Sequence, residues 1–219
     1  MKVDLRVYAL VDPERAGGRT LPELARAVVA GGATLVQLRD KKRDARPMIE
    51  DARAIVAALA PYRVPLLIND RVDVALAAGA QGVHVGWDDM DARHARKLLG
   101  PDAIIGLSIK TVAQAEAAPL DVLDYVAIGG VFVTLSKNNP DPPIGLAGLS
   151  KVAAGIRARK KMPVGAIAGI DAGNAADVIA AGADGVAVIS ALSLAPDPQA
   201  ATRALRDVVD RALQQRGAA

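Results

Sequence analysis

The stretch ALAAGAQGVHVG (75–86) closes an alanine-rich helical run at Gly79 and passes at once into a Val-His-Val strand. The same order recurs in VVAGGATLVQLR (28–39) and VIAAGADGVAVIS (178–190). A glycine just past a helix takes the left-handed conformation that ends it. The β-branched run that follows reads as a strand buried on both faces. Three copies of helix, glycine turn and strand indicate α/β alternation, and their uneven spacing sets them apart from a solenoid repeat.

Extending this reading along the chain predicts strands near 5–11, 34–38, 64–68, 82–86, 103–107, 124–128, 163–167 and 185–189. Helical patterns fall near 21–31, 45–60, 71–79, 91–99, 111–118, 146–159, 173–181 and 198–214. A parallel sheet needs a crossover after every strand, and eight βα units close into a TIM barrel of roughly 200–250 residues. An open doubly wound sheet is the alternative, but YALVDPERAGG (8–18) lacks the G-x-G-x-x-G turn that such a fold usually carries after its first strand. No low-complexity linker divides the chain. The expectation is one (β/α)8 TIM-barrel domain over 1–219, with only the last few residues disordered.

Composition narrows the function classes. Of 219 residues, 52% are hydrophobic and 2% aromatic, so the core must be aliphatic and base-stacking nucleic-acid modules are disfavoured. A net charge of +3 is too small to imply a polyanion partner, although it suits a small phosphorylated ligand. The absence of cysteine removes disulfides, thiolate metal sites and cysteine nucleophiles, and fits a reducing cytoplasm. MKVDLRVYALVD (1–12) has neither the apolar length of a membrane span nor the pattern of a signal peptide.

In a TIM barrel the working residues lie at the C-terminal ends of the strands. That rule gathers Gln37, Arg39 and Lys41 after strand 2, Asn69 and Asp70 after strand 3, and His84, Asp88 and Asp89 at strand 4. Ser108 and Lys110 follow strand 5. The long segment GGVFVTLSKNNPDPPIG (129–145) adds Thr134, Ser136 and Lys137, and Gly169 and Ser190 follow strands 7 and 8. Two carboxylates from neighbouring strand ends, Asp70 and Asp89, suit Mg²⁺, which takes one or two protein carboxylates plus phosphate oxygens and water. Arg39, Lys41 and Lys137 suit a diphosphate, and the ends of strands 7 and 8 are a common phosphate site of these barrels. Singly, each has a plainer reading: Asp70 as a helix cap, His84 as a satisfied structural histidine, QLRDKKRDAR (37–46) as a solvated loop. Their convergence on one rim favours two phosphorylated substrates, or one carrying a long polyphosphate.

The order of VQLRDK, LLINDRVDVALAAGAQGVHVG, IGLS, TLSK, AIAGI and GADGVAVIS resembles the thiamine phosphate synthase family from about residue 34 to 191. The resemblance implies coupling of a hydroxymethylpyrimidine diphosphate to a thiazole phosphate, with loss of diphosphate by a dissociative, Mg²⁺-assisted route. It implies that Gln37, Leu38, Arg39, Asp40 and Lys41, with Asn69, hold the pyrimidine diphosphate, and that Asp70 and Asp89 bind Mg²⁺. Ser108 would face the pyrimidine, with Arg39 and Lys137 on the departing diphosphate. Thr134, Leu135, Ser136, Gly169, Ile189 and Ser190 would receive the thiazole phosphate. The chain departs from the family pattern at Trp87, Lys110, Gly130, Val133 and Ala168. Those departures keep open a catalytically silent thiazole-phosphate-binding relative; a thiazole tautomerase-like enzyme is the other alternative, against which Lys110 and the retained Asp70–Asp89 pair count. Expected partners are small phosphorylated molecules, neither nucleic acid nor membrane; the oligomeric state is open, with a homodimer as one option.

Overall fold

The structure is a computed structural model that describes residues 3–134, 136 and 141–218. Eight strands alternate with helices: β1 (Val7–Val11), α1 (Leu21–Ala30), β2 (Leu35–Leu38), α2 (Ala45–Leu59), β3 (Leu66–Asn69), α3 (Val72–Ala78), β4 (Gly82–Val85) and α4 (Ala92–Leu99). The second half runs β5 (Ile104–Ile109), α5 (Val112–Ala117), β6 (Tyr125–Ile128), α6 (Gly145–Arg159), β7 (Val164–Ile167), α7 (Ala175–Ala180), β8 (Gly185–Val188), α8 (Ser190–Ser193) and α9 (Pro198–Ala218). The strands pair in parallel, each with the next, and β8 closes on β1. The barrel expected from the glycine-terminated repeats is therefore the one that forms, and among the described residues no helix is long and apolar enough to cross a membrane.

The period of two along each strand sorts side chains into two cores. In β2, Val36 and Leu38 join the outer layer against the helices, while Leu35 packs in the lumen with Leu5, Tyr8, Leu10, Leu67 and Tyr125. Helix starts follow their sequence: Thr20 and Glu23 form a reciprocal capping box on α1, as Thr111 and Gln114 do on α5. Two features depart from the sequence reading. A short helix, α8, starts directly after β8, too brief to leave a helical period in the sequence. Helix α9 continues to Ala218, where disorder was expected, because Arg216 near its end bonds Ile179 O and Ala183 O and pairs with Asp184 at 2.7 Å.

Candidate active site at the barrel mouth

Strand ends β2 to β4 assemble an acidic and basic cluster. Asp70 follows β3 directly with φ 62, a left-handed turn that an aspartate tolerates and that throws its carboxylate toward the β2 loop. There it forms an ion pair with Lys41, and its backbone N–H donates to His84 O at 2.8 Å. Asp89, in the turn after β4, accepts the Gly86 N–H at 2.8 Å and lies within hydrogen-bonding reach of Asp70. Burial pushes the Asp70 carboxyl up to about 6; Lys41 opposes the rise and Asp89 adds to it. Among the described residues no three acids or histidines gather as a full metal cage. A pair of hard oxygen donors is nonetheless what Mg²⁺ takes from a protein when phosphate oxygens and water complete its shell, so the residues fit that ion.

Arg39 leaves β2 and pairs with Asp12 at 2.6 Å, both side chains largely buried. Asp12, at the end of β1, escaped the sequence reading because it looks like the cap it also is, accepting Glu14 N–H at 2.9 Å. Two members of the expected set are committed elsewhere. The Leu38 side chain is wholly buried in the outer core. The Asp40 carboxylate takes the backbone N–H groups of Lys42 and Arg43 and pairs with the Arg43 side chain. Burial acts to raise the Asp40 carboxyl, but these bonds outweigh it and hold it below the usual range. Both residues can meet a ligand only through backbone.

Below the mouth, polar groups run through the lumen. Ser108 Oγ lies 2.8 Å from His84 Nε2, and His84 Nδ1 lies 2.8 Å from Tyr125 Oη. Tyr125 Oη donates to Tyr8 Oη at 2.9 Å, and Gln37 Nε2 donates to the same Tyr8 oxygen. Among the described residues, Gln37 Oε1 and Asn69 Nδ2 are the buried side-chain polar atoms left without a partner. Burying such atoms unpaired costs about 1–3 kcal/mol each, so an acceptor and a donor are held ready for a ligand. Tyr8 and Tyr125 were missed in the sequence; tyrosines inside predicted strands of so aromatic-poor a chain were the available signal.

On the opposite side, the segment after β6 and the ends of β7 and β8 line a cavity of about 920 Å³ that includes Thr134, Ser136, Gly169, Ile189 and Ser190. Ser136 Oγ and Ser190 Oγ are 2.7 Å apart, and Thr134 Oγ1 accepts the Ser136 N–H. Gly169 sits at φ 65, and a Cβ there would come within 2.4 Å of Val133 O, so only glycine lets the strand-6 loop approach. Ala168 precedes it at φ 100, a value costly for any residue with a Cβ. Gly130 has φ 71, a left-handed value that glycine adopts without strain and proline cannot adopt. That loop is nonetheless held at its ends, by Ile144 N to Gly130 O at 2.9 Å and by Lys110 to Asp141 at 2.8 Å. Leu135 and Lys137 lie outside the described residues.

Comparison with known proteins gives the family. Residues 7–192 match the family described as thiamine monophosphate synthase. A thiamine-phosphate synthase of Agrobacterium fabrum is 55% identical over 216 residues, 98% of each chain. One from a Roseiflexus species is 47% identical, covering 97% of this chain and 89% of that protein. The solved thiamine phosphate pyrophosphorylase of Pyrococcus furiosus superposes with a TM-score of 0.84 at 36% identity, covering 97% of this chain and 98% of its own. The chain belongs to the thiamine monophosphate synthase family.

Proposed function

We propose that this chain joins an aminopyrimidine-methyl diphosphate to a thiazole monophosphate, giving thiamine phosphate and free diphosphate. The observation that carries the proposal is the meeting of Asp70, Asp89 and Lys41 at one strand-end cluster, on the same rim as a hydroxyl- and glycine-lined cavity. The first suits a diphosphate and the second a monophosphate.

The reaction asks for ionisation and capture. The bond from the pyrimidine methylene carbon to the diphosphate oxygen breaks with its electron pair leaving on oxygen, and the thiazole nitrogen then gives its lone pair to that carbon. No protein nucleophile or net proton transfer is required, in keeping with the absence of cysteine. Asp70 and Asp89 would hold Mg²⁺, which when bound supplies Lewis-acid stabilisation of the departing diphosphate. Lys41 and Arg39 contribute fixed positive charge to the same oxygens, with Arg39 anchored by Asp12 before substrate arrives. Asn69 Nδ2 offers a donor to a substrate oxygen or ring nitrogen, and Gln37 Oε1 an acceptor to an amine. The Ser136–Ser190 pair and the Gly169 backbone receive the monophosphate and set the thiazole nitrogen toward the pyrimidine. The cysteine-free composition suits work in the cytoplasm.

Mixing the protein with both substrates, with Mg²⁺ or with a chelator, tests the proposal directly. Mg²⁺-dependent release of diphosphate that needs both substrates is the expected result. Binding of thiazole phosphate with no release would replace the synthase by a silent relative.

A further inference from the structure

We infer that Tyr125 and Tyr8, acting through His84, set the hydrogen-bond polarity of Ser108 so that its hydroxyl offers a bound pyrimidine an acceptor. The inference rests on the proposed function, with Ser108 facing the pyrimidine as the family resemblance implies.

The lumen chain crosses the barrel from β5 to β2 by way of β4, β6 and β1, so its members are brought together only by closure. Its rings are locked. Tyr125 is wholly buried, and its ring fills the space a Gly106 side chain would need: a Cβ there would lie 2.1 Å from Tyr125 Cζ. His84 stacks on Tyr125 with centroids 5.5 Å apart, and Tyr8 meets both edge-on at 6.2 and 5.9 Å. Burial holds both phenols well above the usual tyrosine range, so each keeps its single hydrogen.

The donors can then be followed one at a time. Tyr125 gives its hydrogen to Tyr8, whose oxygen also receives one from Gln37 Nε2. With its hydrogen spent, the Tyr125 oxygen can only accept from His84 Nδ1, 2.8 Å away. Each ring nitrogen of this buried histidine lies against a hydroxyl, an arrangement that a neutral imidazole satisfies with one hydrogen given and one received. A neutral ring that carries its hydrogen on Nδ1 has an acceptor at Nε2. The Ser108 hydroxyl hydrogen is drawn to that nitrogen, also at 2.8 Å, leaving the Ser108 lone pairs for the ligand. An exocyclic amine satisfies them with N–H; an oxo group at the same ring position brings only another acceptor. Tyr8 and Tyr125 are thus positioning residues: they touch no reacting atom, yet they make the site select an aminopyrimidine over its deaminated counterpart.

Two measurements test this. The sequence has two histidines, His84 and the exposed His94, so ¹⁵N spectra of the unliganded protein resolve the His84 tautomer against an internal reference. The wild type should carry hydrogen on Nδ1. Tyr8→Phe should move it to Nε2, because Tyr125 then turns its freed hydrogen onto Nδ1, although Tyr8 makes no hydrogen bond to the histidine. Tyr125→Phe should also deplete the Nδ1–H form while keeping the ring over Gly106. An imidazolium or an Nε2–H ring in the wild type overturns the inference. So does an unchanged tautomer in folded Tyr8→Phe.

In turnover, the ratio of kcat/KM for amino over oxo pyrimidine diphosphate should fall about tenfold in Tyr125→Phe, a modest part of the discrimination that a matched polar site can supply. Equal loss for both substrates would mark a merely structural role and overturn the inference. If the wild type releases diphosphate from neither substrate, the proposed function fails, while the tautomer measurement still decides the hydrogen-bond direction.

Discussion

Lys41 holds its ammonium against the Asp70 carboxylate, so in the ligand-free protein a lysine partly neutralises the acid pair that is proposed to hold a metal. The pairing is incomplete compensation, since burial and Asp89 still leave the Asp70 carboxyl at about 6 against an ordinary 3.8. A group whose folded pKa is raised gives stability that is fully present below the unfolded pKa and lost as pH rises through the folded one. Asp70 therefore costs stability progressively as pH rises from the ordinary 3.8 to about 6, and in full above that. Asn keeps the left-handed backbone at this position and removes the charge, where Ala would add strain. Asp70→Asn should raise Tm at pH 7.5 by roughly 2–4 °C, corresponding to about 1 kcal/mol, with the gap closing by pH 4. Thermal melts at the two pH values check this, and a lower Tm at pH 7.5 would contradict it. Metal-dependent diphosphate release should be lost in the same variant.

The same carboxyl governs metal loading. A proton on Asp70 competes with Mg²⁺, so affinity in the presence of diphosphate should fall about tenfold for each pH unit below 6. Calorimetric titration at pH 5 and 7 reads this. Affinity independent of pH across that window would remove Asp70 from the metal site.

Arg39→Ala would leave the Asp12 carboxylate, 4% exposed, without its guanidinium. Stranding a buried charge costs about 3 kcal/mol or more, so the denaturation midpoint should fall clearly. Binding of the pyrimidine diphosphate should weaken far more than that of the thiazole phosphate, as separate titrations would show. Arg39→Lys should recover little of either, because a point charge does not reproduce the fork.

Ala168, at φ 100, holds a conformation that glycine adopts freely. Ala168→Gly should stabilise the fold by about 1 kcal/mol, strain relief exceeding the added freedom of the unfolded chain. Chemical denaturation measures the gain, and a loss of stability would show that the methyl packing outweighs the strain. Thiazole phosphate should bind at least as well, since Gly169 and the loop contact from Phe132 N to Ala168 O, 3.1 Å, stay in place.

The barrel was legible because its signals are local: AG-A turns ending helices, β-branched runs and strict alternation. The rim was legible for a related reason. Once the strands are placed, the topology decides which residues share an end, and so Asp70 and Asp89 could be paired from sequence. Orientation was not legible. Nothing in VQLRDK shows that Leu38 faces the helices or that Asp40 is consumed by its own loop. Tyr8 and Tyr125 lie far apart in sequence and meet only across the closed lumen, so no window along the chain could pair them. Asp12 reads as a cap, and a cap's second partner is a tertiary fact.

Gly106 and Tyr125 occupy a single volume between them, one as emptiness and the other as ring. Drift at either site is therefore conditional on the other. A lineage that gained a side chain at 106 would first have to shed the phenol, and with it the wiring that reaches Ser108. The innermost positions of this barrel should change as a pair or stay as they are, whatever freedom the outer helices enjoy.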